Sequence, residues 1–244
     1  MRIKNNIPNF ITLLNLFCGC MAIVAAFKPN LVLASYLVFA AAFFDYLDGT
    51  AARLLKAQSD IGKELDSLAD MVSFGVVPAI IAFQLLNQYA VGLPLFENFS
   101  FLLYTPFLIA LFSALRLAKF NIDDRQTISF LGLPTPANAV FWASAPIIIE
   151  FASPGSFRFL QLFIALLFSN PYVLLGLSIV MSVLLVVELP LFSLKFTDFK
   201  WKHNKVRILF LLSALILLII FNMAALPVII VLYIVYSVIH QYLL

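Results

Sequence analysis

Apolar residues fill this chain in blocks of about 20, parted by short polar breaks, which is the pattern of membrane-crossing helices. Eight blocks can be drawn, over residues 8–27, 31–55, 62–86, 101–120, 137–151, 172–189, 208–225 and 227–243. A ninth apolar stretch, 157–168, is short and reads either as interfacial or as a lead-in to the sixth block. Turn chemistry marks the breaks: Lys28-Pro29-Asn30, Ser153-Pro154-Gly155 and Asn170-Pro171. Pro8, Pro134, Pro136 and Pro227 suit helix starts, where a missing N–H costs nothing. The pattern predicts an all-α, polytopic membrane helix bundle of about eight transmembrane helices, forming one integral membrane domain over 1–244.

Composition agrees: 64% of residues are hydrophobic and 11% charged, with mean hydropathy +1.06, which excludes a soluble globular domain. Placement of the cations matters more than the net charge of +3. Arg2, Lys4, Arg53, Lys56, Lys63, Arg116, Lys119, Arg125, Lys195, Lys200, Lys202, Lys205 and Arg207 fall on one side of an eight-span chain, and only Lys28 and Arg158 on the other. The positive-inside rule makes the populated side cytoplasmic, with both termini there, in a cytoplasmic (inner) membrane. No basic tract suits nucleic acid. Arg2 and Lys4 before an apolar run resemble a signal peptide. Asn9, Thr12 and Asn15, however, recur every third residue as a polar stripe that a disposable segment does not need, so the first span is expected to stay. Cys18 and Cys20, two apart on a helix, point in different directions and read as packing rather than as a disulfide or metal site.

One run, 43–75, breaks the apolar pattern most sharply. It carries Asp45, Asp48, Asp66 and Asp70, with Gly49, Ala52, Arg53 and Gly62 between them. Charge at membrane depth is costly and marks a functional site with a partner. Asp45, Asp48, Gly49, Ala52 and Arg53 share one stripe of the second helix, and Asp66 and Asp70 are an i,i+4 pair on the third, with Ser73 and Phe74 on the same face. A short connection makes the two helices antiparallel neighbours, so the four carboxylates can converge. Together they cannot all be ionised without cations, and hard oxygen ligands select Mg²⁺, Mn²⁺ or Ca²⁺. Such sites clamp phosphates, and the fork of Arg53 suits a phosphate oxygen. The inference is metal-dependent phosphoryl or phosphatidyl transfer at the cytoplasmic membrane surface. Asp60 and Glu64 lie off the stripe and read as solvated charges. A cation or proton transporter remains a remote alternative, but it predicts carboxylates spread along a path rather than gathered near one end.

The motif D-x-x-D-G-x-x-A-R-x8-G-x-x-x-D-x-x-x-D resembles that of the CDP-alcohol phosphatidyltransferase superfamily at Asp45, Asp48, Gly49, Ala52, Arg53, Gly62, Asp66 and Asp70. The resemblance implies two divalent metal ions, Mg²⁺ or Mn²⁺, held by Asp45, Asp48, Asp66 and Asp70 on the diphosphate of a CDP-linked lipid. It implies Asp70 as the base for an acceptor hydroxyl, contacts to the CDP-lipid from Gly49, Arg53 and Ser59, and a homodimer. Asn9 and Thr12 could approach the nucleotide from the first span, and Ala52 and Gly62 leave it room. The flanks IPNFITLLNLFCG, GKELDSLADMVSFGVVPA, ALRLAKFN and FLGLPTPA look like the membrane-embedded, serine-using branch. That implies CDP-diacylglycerol and L-serine as substrates in phospholipid biosynthesis, with membrane lipid as surroundings. This likeness covers about the first 140 residues, and 157–244 is less specific. Lys119 stands where the branch has arginine, keeping the charge and losing the fork. Arg116, Lys119, Asn121 and Ser73 are the expected acceptor-binding residues. The alternative is a sibling enzyme using glycerol 3-phosphate or an inositol phosphate, anionic acceptors that want more arginine than this chain offers. His203 and His240 lack metal-ligand partners and read as surface residues.

Overall fold

The computed structural model describes residues 2–28, 30–122, 130–152, 159–191 and 201–243. Pro29, Asp123, Asp124, Arg125, Arg158, Lys195, Lys200 and the turn at 153–155 lie outside them, as do the side chains of Arg2, Lys4, Lys202, His203 and His240. Eleven α-helices are seen among the described residues. The one departure from helix and turn is a two-residue antiparallel ladder, β1 (Phe130–Leu131) with β2 (Pro190–Leu191).

Helix α1 (Arg2–Phe27) begins earlier than its sequence pattern suggests, and Pro8 lies inside it rather than at its start. Proline here removes only one bond, to a carbonyl of the opening turns, and that early position makes the loss tolerable. Asn30 caps α2 (Leu31–Leu55) by accepting from Leu33 N at 3.0 Å. At its far end Lys56 adopts a left-handed φ of 51° and returns its N–H to Ala52 and Arg53. Three residues on, Ser59 caps α3 (Asp60–Asp70), its Oγ accepting from Gly62 N at 3.1 Å. Asp60 in the first turn faces the positive end of the helix dipole.

A π-helical turn, Met71–Val76, follows Asp70 directly and joins α3 to α4 (Val77–Tyr89). The sequence pattern reads this stretch as one uninterrupted helix. The widened turn rotates everything beyond Asp70 relative to an α-helical continuation, a device frequent at functional sites. The third span is thereby split into an amphipathic head, α3, and an apolar tail, α4, in which Ile81 and Leu86 are fully buried.

The expected loop before the fourth span holds a five-residue helix, α5 (Pro94–Asn98). A 3-10 stretch, Ser100–Phe107, then leads into α6 (Leu108–Ile122). Helix α7 (Thr135–Glu150) is buried along most of its length, with Trp142 and Ile148 at its core. Its 16 residues reach about 24 Å, short of the roughly 30 Å hydrocarbon layer. Helix α8 (Phe159–Phe168) meets α9 (Pro171–Val186) at 84°, so the short apolar stretch turns across α9 instead of extending it. Asn170 makes the corner by capping α9. The backbone before α7 is bonded to the end of α9, with Leu133 N to Leu184 O at 2.8 Å and Gly132 N to Leu189 O at 2.9 Å.

Among the described residues, five helical stretches are long and apolar enough to cross a membrane, or six with the bent pair counted as one. The last of the five, Asn204–Ile239, doubles back on itself. The Phe210 and Tyr233 rings lie 5.6 Å apart, which 23 residues of straight helix cannot allow. Asn222, at φ 49°, marks the reversal between α10 (Trp201–Phe221) and α11 (Ala225–Leu243). The chain is a multi-pass helical membrane protein. Its exposed Phe and Leu side chains, among them Phe10, Phe17, Leu54 and Phe101, form the apolar exterior such a protein requires.

Candidate active site

The polar stripe of α1, the second half of α2 and all of α3 meet at one end of the bundle. Gly62 sets the approach of α1 to α3: a Cβ there would sit 3.0 Å from Asn9 Oδ1. Gly19 does the same one level deeper, where a Cβ would run into the Ser73 hydroxyl. Thr12 is buried, donates to Pro8 O at 3.1 Å and lies within hydrogen-bonding reach of Asp48. Asn15, fully buried, directs Nδ2 at Asp70 Oδ1, 3.4 Å away.

The carboxylates converge. Asp45, Asp48 and Asp66 each place one oxygen within 4.8 Å of the others. Asp45 is in hydrogen-bonding reach of both Asp66 and Asp70. Carboxylates this close need a shared proton or a cation between them. Asp48 Oδ2 and Asp66 Oδ1 are buried and accept nothing from the protein. Buried oxygens without donors, gathered in an all-carboxylate set, are what a hard divalent cation binds. The residues therefore fit a metal ion.

Beside them opens a cavity of about 450 Å³, with walls that include Asn9, Thr12, Asp48, Gly49, Ser59 and Asp66. Ala52, Gly62, Asp60 and Lys63 also line it, so Asp60 contributes to this wall although sequence reading set it aside. Arg53 is exposed, and its Nη2 donates to Thr50 Oγ1 at 3.2 Å, outside that wall.

Of the expected acceptor residues, Arg116 and Ser73 come near Asp70, the second through Asn15, while Lys119 and Asn121 lie farther along α6. Arg116 is buried at 8% exposure, donates Nη1 to Thr135 Oγ1 at 2.9 Å and lies close enough to Asp70 to interact with its charge. Lys119 is exposed. Asn121 works as a tie between helices, donating to Ser67 Oγ at 2.9 Å and accepting from Lys63 Nζ at 3.0 Å. Ser73 keeps to the α1 side together with Asp70: its buried hydroxyl donates to the Asn15 carbonyl at 3.1 Å, while Asp70 accepts from the Asn15 side chain. Both cysteines are free, Cys18 buried and Cys20 exposed.

Sequence reading assigned no role to Asn15 or Thr135. The signal for Asn15 was present, since it continues the Asn9–Thr12 stripe by three residues. Thr135 carried no signal beyond its place between two prolines.

Fold and site together define a multi-pass membrane protein with an acidic, metal-capable cleft at one end of its bundle. The chain matches the CDP-alcohol phosphatidyltransferase family over residues 5–186, about three quarters of its length, and belongs to that family. A CDP-diacylglycerol–serine O-phosphatidyltransferase of Helicobacter pylori is 34% identical over 238 residues, covering 96% of this chain and 90% of the relative. Proteins of the same name are 40% identical over 132 residues in Bacillus subtilis (54% of this chain, 70% of the relative) and 37% over 134 residues in Methanocaldococcus jannaschii (55% and 57%). The likeness therefore extends well past the first 140 residues, into the C-terminal helices where sequence reading found only generic apolar spans.

Proposed function

We propose that this chain, acting as one domain, transfers the phosphatidyl group of CDP-diacylglycerol to the hydroxyl of L-serine, yielding phosphatidylserine and CMP. The observation that carries the reading is the carboxylate cluster at the wall of an open cavity, with Asp70 buried just beyond it. The serine-specific names of relatives aligned along nearly the whole chain support the choice of acceptor.

Asp45, Asp48, Asp66 and Asp70 are the residues to hold two divalent ions, Mg²⁺ or Mn²⁺. When bound, these supply neutralisation of the diphosphate and of the leaving CMP. Asn9, Thr12, Gly49, Ala52, Ser59 and Gly62 shape the wall for the CDP moiety, and the flexible Arg53 reaches in from the rim toward a phosphate oxygen. Asp70 takes the proton of the serine hydroxyl, which is far too weak an acid to ionise unaided at pH 7. The serine oxygen then bonds to the lipid-bearing phosphorus as the bond to CMP breaks. Arg116 is the cation for the serine carboxylate, with Lys119 at the rim and Asn121 holding α6 against α3. Ser73 supports this site through α1 instead of touching serine. Short loops rich in Lys and Arg favour a cytoplasmic opening in the inner membrane with both termini on that side, and the protein works as a homodimer.

An acceptor panel tests this. Purified protein in mixed micelles with CDP-diacylglycerol and Mg²⁺ or Mn²⁺ is offered serine, glycerol 3-phosphate or inositol phosphate, and lipid products are read by mass spectrometry. Phosphatidylserine is expected. Product from a phosphorylated acceptor and none from serine would move the chain to the sibling reading.

A further inference from the structure

Besides the unpaired oxygens of Asp48 and Asp66, two buried atoms near Asp70 lack a hydrogen-bond partner, and they are of opposite kinds. Asn15 uses Nδ2 on Asp70 and leaves Oδ1, an acceptor, buried and unpaired. Arg116 uses Nη1 on Thr135 and leaves Nε, a charged donor, buried and unpaired. Asn15 is fully buried and Arg116 is 8% exposed, so bulk water does not satisfy either atom. Leaving such atoms empty is costly, so each calls for a partner that the protein does not supply, a role a bound ligand can fill. The two come from different helices, α1 and α6, and each acts on the same carboxylate.

A ligand that answers both atoms carries a cation, an anion and, close to both, a group for Asp70 to act on. A hydroxylated α-amino acid has this layout. We propose that Asn15 and Arg116 divide the acceptor zwitterion between them: Asn15 Oδ1 accepts from the α-ammonium and Arg116 Nε donates to the α-carboxylate, turning the side-chain hydroxyl toward Asp70. This rests on the serine reading above and adds the specificity device. A phosphorylated polyol has no cation for Asn15 Oδ1 and leaves that oxygen unsatisfied, so the same pair that holds serine discriminates against the sibling acceptors.

The test separates the two ends of serine. Ethanolamine lacks the carboxylate, and 3-hydroxypropionate lacks the ammonium. Their inhibition constants against serine are measured for the full-length enzyme with CDP-diacylglycerol and metal, beside the KM for serine. Asn15→Leu is expected to weaken serine and ethanolamine about 10- to 100-fold while moving 3-hydroxypropionate less than about 3-fold. Arg116→Gln is expected to give the mirror image, with ethanolamine spared. An unchanged KM for CDP-diacylglycerol identifies a variant that has folded. If Asn15→Leu does not fold, Asn15→Asp decides, because it keeps an acceptor and adds negative charge: its preference for ethanolamine over 3-hydroxypropionate must exceed the wild-type ratio. Equal losses for all three compounds, or an unmoved or reversed ratio in Asn15→Asp, overturn the division of roles. A wild-type enzyme that makes no phosphatidylserine sinks the serine reading itself, a different result from an active enzyme with equal losses.

Discussion

Ser73 Oγ donates to the backbone carbonyl of Asn15 at 3.1 Å, across the point where α1 crosses the π-helical turn. The crossing is this tight because residue 19 has no side chain: a Cβ there would overlap the Ser73 hydroxyl. The bond therefore fixes the height of Asn15 against Asp70.

Gly19→Ala is accordingly expected to destabilise the fold by about 1–3 kcal/mol, the usual cost of forcing a methyl into a packed contact. Thermal unfolding in detergent reads this as a Tm lower by several degrees. Adding Ser73→Ala removes the atom that the new methyl meets most closely, so the double variant should recover part of the loss. A Gly19→Ala protein that melts like wild type would falsify the tight crossing.

How much of this was legible in the sequence differs between elements. Apolar block length located the helices, because burying a backbone in lipid leaves helix as the only local solution. The i,i+3 and i,i+4 spacing of Asp45, Asp48, Asp66 and Asp70 located the cleft, since helical periodicity alone puts those oxygens on facing stripes. The π-helical turn after Asp70 is not legible, because periodicity assumes 3.6 residues per turn and nothing in MVSFGV announces the change locally. Ser73 spends its hydroxyl on the Asn15 carbonyl, a partner 58 residues away in sequence. Asn121 likewise has the right chemistry for a ligand, but its partners Ser67 and Lys63 lie more than 50 residues away in sequence.

The unpaired oxygens of Asp48 and Asp66 make metal removal a direct test of the cleft. Chelation should abolish CMP release, and Mg²⁺ or Mn²⁺ should restore it. Asp48→Asn and Asp66→Asn each replace a carboxylate proposed to hold the metal and should raise the metal concentration for half-maximal rate by 10-fold or more, on the order of 1.4 kcal/mol. Asp70→Asn behaves differently if Asp70 is the base: the rate should fall by about 10²- to 10⁴-fold while CDP-diacylglycerol still binds. Full activity of that variant removes Asp70 from the role.

Arg116 and Lys119 lie three residues apart on α6 yet in unlike surroundings, one buried on Thr135 and one exposed. Lys119→Ala should therefore change the serine KM by less than about 3-fold, as exposed charges contribute little. Thr135→Val removes the hydroxyl that accepts from Arg116 Nη1 and leaves a buried N–H unpaired, a loss of about 1–3 kcal/mol. Its serine KM should rise more than that of Lys119→Ala, and steady-state kinetics on both variants rank them. The reverse order would show that the acceptor is held at the rim.

Ser59 lines the cavity and is also the N-cap of α3, its hydroxyl accepting from Gly62 N at 3.1 Å. These two jobs separate by substitution. Ser59→Ala removes the cap, costs about 1 kcal/mol and loosens the first turn of the helix that carries Asp66. The KM for CDP-diacylglycerol should then rise several-fold with the serine KM unmoved, because the loosened turn lines the cavity proposed for the CDP moiety. Asparagine caps as well as serine does, so Ser59→Asn should restore both the melting temperature and the KM if the hydroxyl acts through the helix. Were the hydroxyl instead a direct contact to the CDP moiety, the longer asparagine side chain would restore the melting temperature and leave the KM high. The bond to Gly62 N favours the first outcome, since that acceptor oxygen already faces the backbone it caps.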